Sequence, residues 1–547
     1  MTTALRLDTH EVFNQSPPYE NVDLFWSDRP LIEAVEANGA GGEAAALSTF
    51  GRQWGTAEMF ARARRANENP PKLYSFDPKG FRRDTVEFHP AYHELMRASV
   101  ASGLHALTWT PSGKRAAPPA EVARAARYYM AAQVESGHLC PITMTRAALA
   151  PLAAEPALLA KIAAKVATTS YDPAFRPWWE KSGMTLGMGM TEKQGGTDVR
   201  ANSSVATPTG DSYTITGHKW FLSAPMCDAF LVLAQAPGGL TCFLMPRFRP
   251  DGSVNALHLQ RLKDKLGNRS NASSEIEFAE AFAWRVGGEG AGVRTIIQMV
   301  QLTRLDCALA SAGFMRMAVA QAVYHCRYRS VFQKHLYDQP MMRAVLADLA
   351  LEVEGAVALV MRLARAFDLA DTDPHEAAYA RLVTPAAKYW VCKTAPSFIY
   401  EAMECLGGNG YVEESVLPRL YREAPVNAIW EGSGNVMCLD VLRALKRDKE
   451  AADLFAQLGR EASDLTGDGV APFAPMNEFA SEATARVTVG KLAVLAAAAA
   501  LRATAPPALV VAFVQTRLVQ PHSALYGADA IDAPTAELLL QRALPEE

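Results

Sequence analysis

Helical spacing of apolar residues dominates both ends of this chain. From residue 1 to about 185, apolar positions recur three and four residues apart, with glycine- and proline-rich turns between them. The same spacing predicts long helices over 295–332, 341–369, 375–406 and 435 to about 446. Long helices that follow one another without strands predict a helical bundle.

A β-rich segment separates these two helical parts. Short runs of β-branched and aromatic residues at 212–216, 219–223, 230–233 and 241–245 are bounded by Gly, Pro and Asp, and alternation at 273–278 is typical of a half-buried strand. The pattern therefore predicts an α+β protein that is mainly α.

Four regions follow from these changes in pattern. The sequence predicts an N-terminal extension and helical domain (1–185), a middle β domain (186–285), a C-terminal helical bundle (286–450) and an extra C-terminal helical region (451–547). A stretch at 464–475 with several Gly and Pro residues is typical of a linker. The length of 547 residues allows several domains.

Composition narrows the setting. Lys and Arg number 54 against 58 Asp and Glu, and the net charge of -4 excludes an overall polyanion-binding character. The eight cysteines are scattered, with no C-x-x-C pair and no metal-like spacing, so we expect reduced thiols, no metal site and a cytoplasmic protein. The apolar stretch 492–514 carries Arg502 and the pair Pro506 and Pro507, which favours two helices and a break over a membrane span.

The stretch 428–443 holds the most distinctive candidate chemistry. Glu431 follows Ile429 and Trp430 and precedes Gly432, after which apolar residues resume at helical spacing with Ser433 as predicted N-cap. The helix dipole lowers the pKa of such an acid and burial raises it, so Glu431 fits either a capping carboxylate or a group tuned for proton transfer.

Familiar nucleotide and hydrolase motifs are absent from the sequence. The glycine-rich stretches 287–292 and 407–410 do not lie in a strand-turn-helix unit with a following acid, so a Rossmann domain is disfavoured. No Walker A loop, nucleophile elbow or H-E-x-x-H helix occurs.

Five stretches taken together resemble the signatures of the acyl-CoA dehydrogenase family of FAD proteins. They are G-M-T-E-K-Q-G-G-T-D (189–198), K-W-F-L-S (219–223), R-S-V-F-Q (329–333), L-G-G-N-G-Y (406–411) and I-W-E-G-S (429–433). The family's order of helical domain, β domain and helical bundle also agrees with the predicted pattern. The third stretch departs from the family at its last position, where Gln333 replaces glycine.

More closely, the chain resembles the AidB-like branch of that family, which is associated with the bacterial response to DNA alkylation. The stretches typical of it are 12–18, 190–196, 264–273, 417–423 and 430–440. The extended N-terminus and the extra C-terminal region also fit this branch.

The resemblance implies a set of site residues. Glu431 matches the catalytic base, and because Thr303 precedes Arg304 where some relatives carry their base, Glu431 has no rival. Arg329 and Phe332 match positions that reach FAD across a subunit interface. The residues predicted to bind the cofactor are Met188, Met190, Thr191, Gly196, Thr197, Phe221, Leu222, Ser223, Arg329, Phe332, Gly407, Gly408, Ile429, Trp430, Ser433, Gly434 and Asn435.

The function that the resemblance implies is oxidation of an acyl-CoA or similar thioester. Glu431 would take the α-proton while a hydride passes to the flavin, with Ser223 nearby, in a homo-oligomer that we expect to be a tetramer. The family usually has Tyr at the position of Trp430. The larger indole of Trp430 fits two interpretations: it narrows the acyl pocket, or it is an aromatic residue of the core.

Two alternatives remain open at this point. One is a protective or DNA-associated flavoprotein with little activity, and the other, disfavoured, is a purely structural oligomerisation module. Relatives are thought to bind duplex DNA through the C-terminal region, but residues 444–547 hold nine basic and thirteen acidic residues. We therefore expect any DNA binding to be weak, indifferent to sequence and steeply salt-dependent.

Overall fold

The computed structural model describes residues 9–466, 481–520, 523 and 525–545. Most of the predicted linker at 464–475 lies outside these residues. Two buried apolar cores organise the chain: one joins the N-terminal helices to the C-terminal bundle, and the other fills the β domain and reaches into three neighbouring helices.

The N-terminal part is helical, as its periodicity predicts, and also contains a β-hairpin that the sequence did not predict. The hairpin pairs β1 (Lys72–Phe76) with β2 (Arg82–Glu87). The helices of this part are α1 (Arg29–Val35), α2 (Ala44–Trp54), α3 (Ala57–Glu68), α4 (Pro90–Ala101), α5 (Ala120–Val134), α6 (Leu139–Leu152) and α7 (Pro156–Val166).

The middle part is a seven-stranded sheet in the order β3-β5-β4-β6-β7-β9-β8, and further pairings of β3 with β6 and of β5 with β9 close it on itself. The two runs predicted at 212–216 and 219–223 form one long strand. The strands are β3 (Leu186–Gly189), β4 (Val205–Thr209), β5 (Ser212–Ser223), β6 (Ala229–Ala236), β7 (Gly239–Pro246), β8 (Leu257–Leu262) and β9 (Ser273–Val286).

The C-terminal bundle packs around α8 (Gly292–Tyr328), which contacts α5 and α6 of the N-terminal part as well as its own neighbours. Its other elements are β10 (Ser330–Val331), β11 (Lys334–His335), α9 (Pro340–Leu369), α10 (Pro374–Cys405), α11 (Gly408–Tyr411), α12 (Val416–Asn427) and α13 (Gly434–Arg447).

One helix boundary in this bundle was predicted wrongly. The pattern extended the first long helix to residue 332, but α8 ends at Tyr328 and β10 and β11 form a tight hairpin. Phe332 and Gln333 occupy the turn with φ of 50° and 68°, the left-handed pair that a two-residue hairpin requires. Helical periodicity cannot reveal this turn, because neither residue is a typical turn residue.

The extra C-terminal region packs against α9 and α10 through α14 (Lys449–Thr466), α15 (Ala485–Thr504), α16 (Pro507–Val514) and α17 (Ala533–Ala543). Two helices, α8 and α15, are long and apolar enough to cross a membrane, but 89% and 61% of their apolar windows are buried inside the protein. The stretch 492–514 forms a helix, a break before Pro507 and a second helix, as its prolines predict.

Candidate active site

Glu431 lies in the turn that joins α12 to α13. Its backbone takes the left-handed conformation with φ 59°, and Gly432 follows with φ 101°. A Cβ on Gly432 would come within 2.7 Å of the Met437 side chain, so the turn needs glycine there. Ser433 occupies the N-cap position of α13, as predicted, but its side chain makes no capping hydrogen bond.

Two cations hold the backbone of this turn. The Nε of Arg304 donates to the carbonyl of Glu431 over 3.0 Å, and the Nζ of Lys388 donates to the carbonyl of Gly432 over 2.8 Å. Arg304 is itself fixed by an ion pair with Asp440 at 2.7 Å. Because α8 and α10 each supply one of these cations, the turn is anchored to both helices.

The Glu431 carboxylate has one close donor and a perturbed acidity. The Oγ1 of Thr303 on α8 donates to its Oε2 over 2.7 Å. Burial raises the pKa of Glu431, while the Thr303 hydrogen bond and the charges of Lys388 and Arg304 oppose that rise only in part. A carboxyl whose pKa is raised in this way is suited to accept and release a proton near neutral pH.

The carboxylate faces a cavity between the β domain and the helices. Met188 and Ser223, which pair across β3 and β5, form its wall on the side of the sheet. The rest of the wall comes from α5, the loop after it, α6, α8, α12 and the turn after α12. These residues are Tyr128, Ser136, Cys140, Thr143, Met144, Thr303, Asp306, Cys307, Ala310, Asn427, Trp430 and Glu431.

Trp430 is fixed in this wall by hydrogen bonds. Its Nε1 donates to Asn427 over 3.0 Å, and the Asn427 amide donates to the Ser311 hydroxyl on α8 over 3.1 Å. Trp430 is therefore held in one orientation, and it is part of the cavity wall as well as of the surrounding apolar packing.

A buried ion pair supports the strands of the cavity wall, and sequence reasoning missed it. The Nζ of Lys219 lies 2.7 Å from Glu192, and both side chains are inaccessible to solvent. Glu192 also accepts from the backbone and hydroxyl of Ser203. The signal was present, since Glu192 and Lys219 are the charged positions of two separate motifs that resemble family signatures.

Two of the branch-typical stretches meet in a second buried contact. The Asn268 side chain donates to Glu423 over 2.8 Å, which joins the β domain to α12. Gly267 lets the chains approach, because a Cβ there would lie 2.2 Å from the carbonyl of Arg422. Glu423 lies in α12, the helix that leads into the turn of Glu431, so this contact fixes that helix relative to the sheet.

The predicted cofactor residues on the β domain follow the sheet wall of the cavity. Met188 and Ser223 line it, and Met190, Thr191, Gly196, Thr197 and Phe221 lie on the adjoining strands and loop. The side chain of Leu222 is fully buried in the core of the β domain, so only the backbone of this residue is available to a ligand.

The other predicted residues form separate groups. Ile429, Ser433 and Asn435 are exposed around the start of α13, where Gly434 faces Tyr389. Arg329, Phe332, Gly407 and Gly408 lie away from the cavity wall, and the N-terminal segment links them: Arg329 donates to the Asn14 carbonyl, and Asn409 donates to Gln15. Phe332 is 93% exposed at the hairpin tip.

Three family profiles match consecutive parts of the chain. The adaptive response protein AidB N-terminal domain matches residues 14–173, the acyl-CoA dehydrogenase middle domain matches 187–281, and the acyl-CoA dehydrogenase C-terminal domain matches 290–446.

Curated relatives and solved structures agree with these profiles. AidB of Escherichia coli (strain K12) is 52% identical over 82% of this chain and 83% of its own length. Acyl-CoA dehydrogenase family member 11 of Caenorhabditis elegans is 31% identical over 82% of this chain and 74% of its own. The solved structure of ACDH-11 from that organism, in complex with C11-CoA, covers 100% of this chain and 95% of its own, with a TM-score of 0.81 and 25% identity. The predicted fold class is confirmed.

Proposed function

Since this chain belongs to the acyl-CoA dehydrogenase family, within which it is a relative of AidB, we propose that it oxidises a CH–CH bond of an acyl-CoA thioester with FAD as its cofactor. The observation that carries the proposal is the position of Glu431. Its carboxylate faces the same cavity as Ser223 and Met188, two of the sheet residues predicted to contact the flavin.

Glu431 has the properties that this reaction requires of a base. It would remove the proton from the α-carbon of the thioester, and burial raises its pKa toward the range where that transfer is efficient. As the α C–H bond breaks toward Glu431, the β-hydrogen leaves with its electron pair and a C=C bond forms. FAD, when bound, supplies the acceptor for that hydride.

The residues around the sheet wall fit a flavin. Family members bind FAD, and here the loop after β3 offers glycine backbone and hydroxyl groups beside the cavity. A Cβ on Gly196 would lie 2.4 Å from the Thr191 hydroxyl, so the loop is compact and leaves no room for a side chain at that point. Ser223, Thr191 and Thr197 are the side chains that would donate to the cofactor.

The finer parts of this proposal rest on the relation to AidB. They are a place in the cytoplasmic response to DNA alkylation and assembly as a homotetramer, in which the exposed Phe332 would reach a neighbouring subunit. An acyl-CoA substrate gains support from the C. elegans relative solved with C11-CoA. The alternative is a protective or DNA-associated flavoprotein that kept the fold and has little activity on acyl-CoA.

Anaerobic titration of the purified protein with a panel of acyl-CoAs tests the proposal. We expect a yellow protein that releases FAD on denaturation and whose visible absorbance bleaches with at least one acyl-CoA. Ser223→Ala should perturb the flavin spectrum without unfolding the protein. A colourless protein that FAD does not reconstitute would contradict the cofactor, and a flavin that no acyl-CoA bleaches would favour the alternative.

A further inference from the structure

Part of the cavity wall near Glu431 is polar. Asp306 and Ala310 follow Thr303 along one face of α8, and all three line the cavity. A rise of about 1.5 Å per residue puts Asp306 about 4.5 Å beyond the residue that holds the Glu431 carboxylate. An acyl chain entering past Glu431 along α8 therefore meets a carboxylate within a few carbons of its reacting end.

Asp306 belongs to a relay of hydrogen bonds in this part of the wall. Thr143 on α6 donates to Asp306 over 2.8 Å, and Tyr128 on α5 lies 2.8 Å from the Thr143 hydroxyl. Since the single proton of Thr143 is directed to the carboxylate, the Tyr128 hydroxyl must be the donor to Thr143. We call Tyr128, Thr143 and Asp306 the end wall.

Buried arginines fix the end wall from behind. Arg124 pairs with both oxygens of Asp306 and stacks on the Tyr128 ring, with 4.4 Å from its guanidinium carbon to the ring centroid. Arg146 lies 3.4 Å from Asp306 and also pairs with Glu121. These side chains are fully buried, so each charge depends on its partners.

The side chains of the end wall cannot rotate aside as easily as those of an apolar wall. In a wall of Leu or Met, rotation of one side chain admits a longer ligand at small cost. Here, rotation of Tyr128 would remove its hydrogen bond to Thr143 and its contact with Arg124, and rotation of Thr143 would remove one hydrogen bond to Asp306. Loss of polar contacts inside the protein is unfavourable. The donors of the relay are already used, so the wall also offers no free donor to an acyl group.

We propose that Tyr128, Thr143 and Asp306 set the acyl length of this protein, and that the cavity takes short acyl groups of about four to six carbons. The inference rests on the proposed function, because it assumes that the acyl group enters beside Glu431. It separates this chain from the C. elegans relative that was solved with C11-CoA.

Calorimetric titration of the FAD-loaded protein with straight-chain C4-, C6-, C8- and C12-CoA tests the inference. A methylene that enters apolar surroundings improves affinity about fourfold. We expect that gain up to about C6 and none beyond it, so that C12-CoA binds no more tightly than C6-CoA. Affinity that keeps rising to C12-CoA would overturn the inference.

A pair of variants tests whether the end wall limits the length of the acyl group. Tyr128→Leu should open the end wall and improve C12-CoA binding at least tenfold. Tyr129→Leu makes the same change one position along α5, where the hydroxyl donates to Asp28 instead, and should leave the length limit unchanged. If both variants keep the wild-type limit, or shift it equally, the end wall does not set it.

The same samples separate this inference from the proposed function. Flavin bleaching by C4-CoA reports the reaction, whereas the dependence of affinity on chain length reports the end wall. Binding that stops improving at C6 without any bleaching supports the wall and contradicts the reaction. Bleaching by C4-CoA and C12-CoA with equal efficiency supports the reaction and contradicts the wall, and no binding of any acyl-CoA contradicts both.

Discussion

The hydroxyl of Thr303 donates to the Glu431 carboxylate over 2.7 Å, although 128 positions separate the two residues. Thr303 directly precedes Arg304, and that arginine holds the carbonyl of the same glutamate. Two successive residues of α8 therefore position both the carboxylate and the backbone of Glu431. Thr303 on α8 and Glu431 in the turn between α12 and α13 therefore lie at the same place in the cavity wall.

Removal of the Thr303 hydroxyl should shift the pH dependence of the reaction. The hydrogen bond lowers the pKa of Glu431 against the effect of burial, so Thr303→Val should raise that pKa. The rate of flavin reduction by acyl-CoA should then reach its plateau at a higher pH than in the wild type. Thr384→Val is the control, because that buried hydroxyl donates to the Ala380 carbonyl of its own helix. An unchanged profile in Thr303→Val would show that the hydrogen bond does not tune the base.

Replacement of Glu431 by Gln should abolish most activity and stabilise the protein. Loss of a general base costs roughly 10²-fold or more in the rate of flavin reduction. Burial raises the pKa of Glu431 in the folded state. Above the ordinary pKa of glutamate, this carboxyl is therefore ionised in the unfolded chain while it still holds its proton in the folded protein. The free energy of unfolding consequently falls as pH rises.

Gln carries no charge at any pH, so Glu431→Gln removes the cost of ionising a buried carboxyl. The gain in melting temperature of Glu431→Gln over the wild type should therefore be small at pH 4 and larger at pH 8. A variant that reduces its flavin as fast as the wild type would refute the assignment of the base. A gain that shrinks as pH rises would refute the sign of the pKa shift.

Lys388 should act as a positioning residue through the Gly432 carbonyl. Lys388→Met removes the 2.8 Å hydrogen bond that anchors the left-handed turn, and it also removes a charge that lowers the pKa of Glu431. We expect flavin reduction to slow by about 10- to 100-fold, with its pH profile moved upward. Lys393→Met, at an exposed position on the same helix, is the control. A purely structural role would lower the melting temperature and leave the pH profile in place.

The sequence predicted the large elements well because their patterns are long. The bundle helices and the β-rich segment each repeat one period over many residues, and such repeats determine type and order. The hairpin at Phe332 and Gln333 and the hairpin of β1 and β2 are short, and local pattern carries little information about them. Tertiary contacts decide such segments.

Some residues of the candidate site could likewise be predicted from the sequence, and others could not. Glu431 and Ser223 were found because each lies in a stretch that resembles a family signature. The end wall was not found, because Tyr128, Thr143 and Asp306 come from three helices and none stands in a recognisable motif. Only their packing brings them together. Lys388 was missed for the same reason, since a lysine inside a long helix gives no sign that it is buried.

Disruption of the ion pair between Glu192 and Lys219 should destabilise the β domain. Lys219→Met would leave the Glu192 carboxylate buried without its cation, and loss of one partner of such a pair costs about 3–5 kcal/mol. We expect a clearly lower melting temperature and weaker flavin retention. The double variant Glu192→Gln/Lys219→Met should lose less than Lys219→Met alone, because no charge is stranded, and the exposed Lys193→Met should have little effect. Equal losses in the single and double variants would argue against a stranded charge.

The charge distribution predicts that duplex DNA binds weakly, if the alternative function holds. Residues 444–547 carry nine basic and thirteen acidic side chains. Two of the nine are unavailable, because Arg517 is buried among Asp348, Glu352 and Asp529, and Arg542 pairs with Glu33 and Glu354. Arg261 and Lys263 on the β domain both pair with Glu275.

The densest cluster of exposed basic groups near this region consists of Arg443, Lys446, Arg447 and Lys449 at the end of α13 and the start of α14, and Lys449 pairs with Asp453. A cluster of this size neutralises few phosphates. Affinity should fall as the salt concentration rises, and the slope of log affinity against log salt should be about -0.9 for each phosphate neutralised. Duplexes of unrelated sequence should bind with similar affinity. The double variant Lys446→Ala/Arg447→Ala should reduce both the affinity and the slope. Arg502→Ala, on a different helix, serves as the control. Tight, sequence-selective binding that persists at high salt would show that contacts other than these charges recognise DNA.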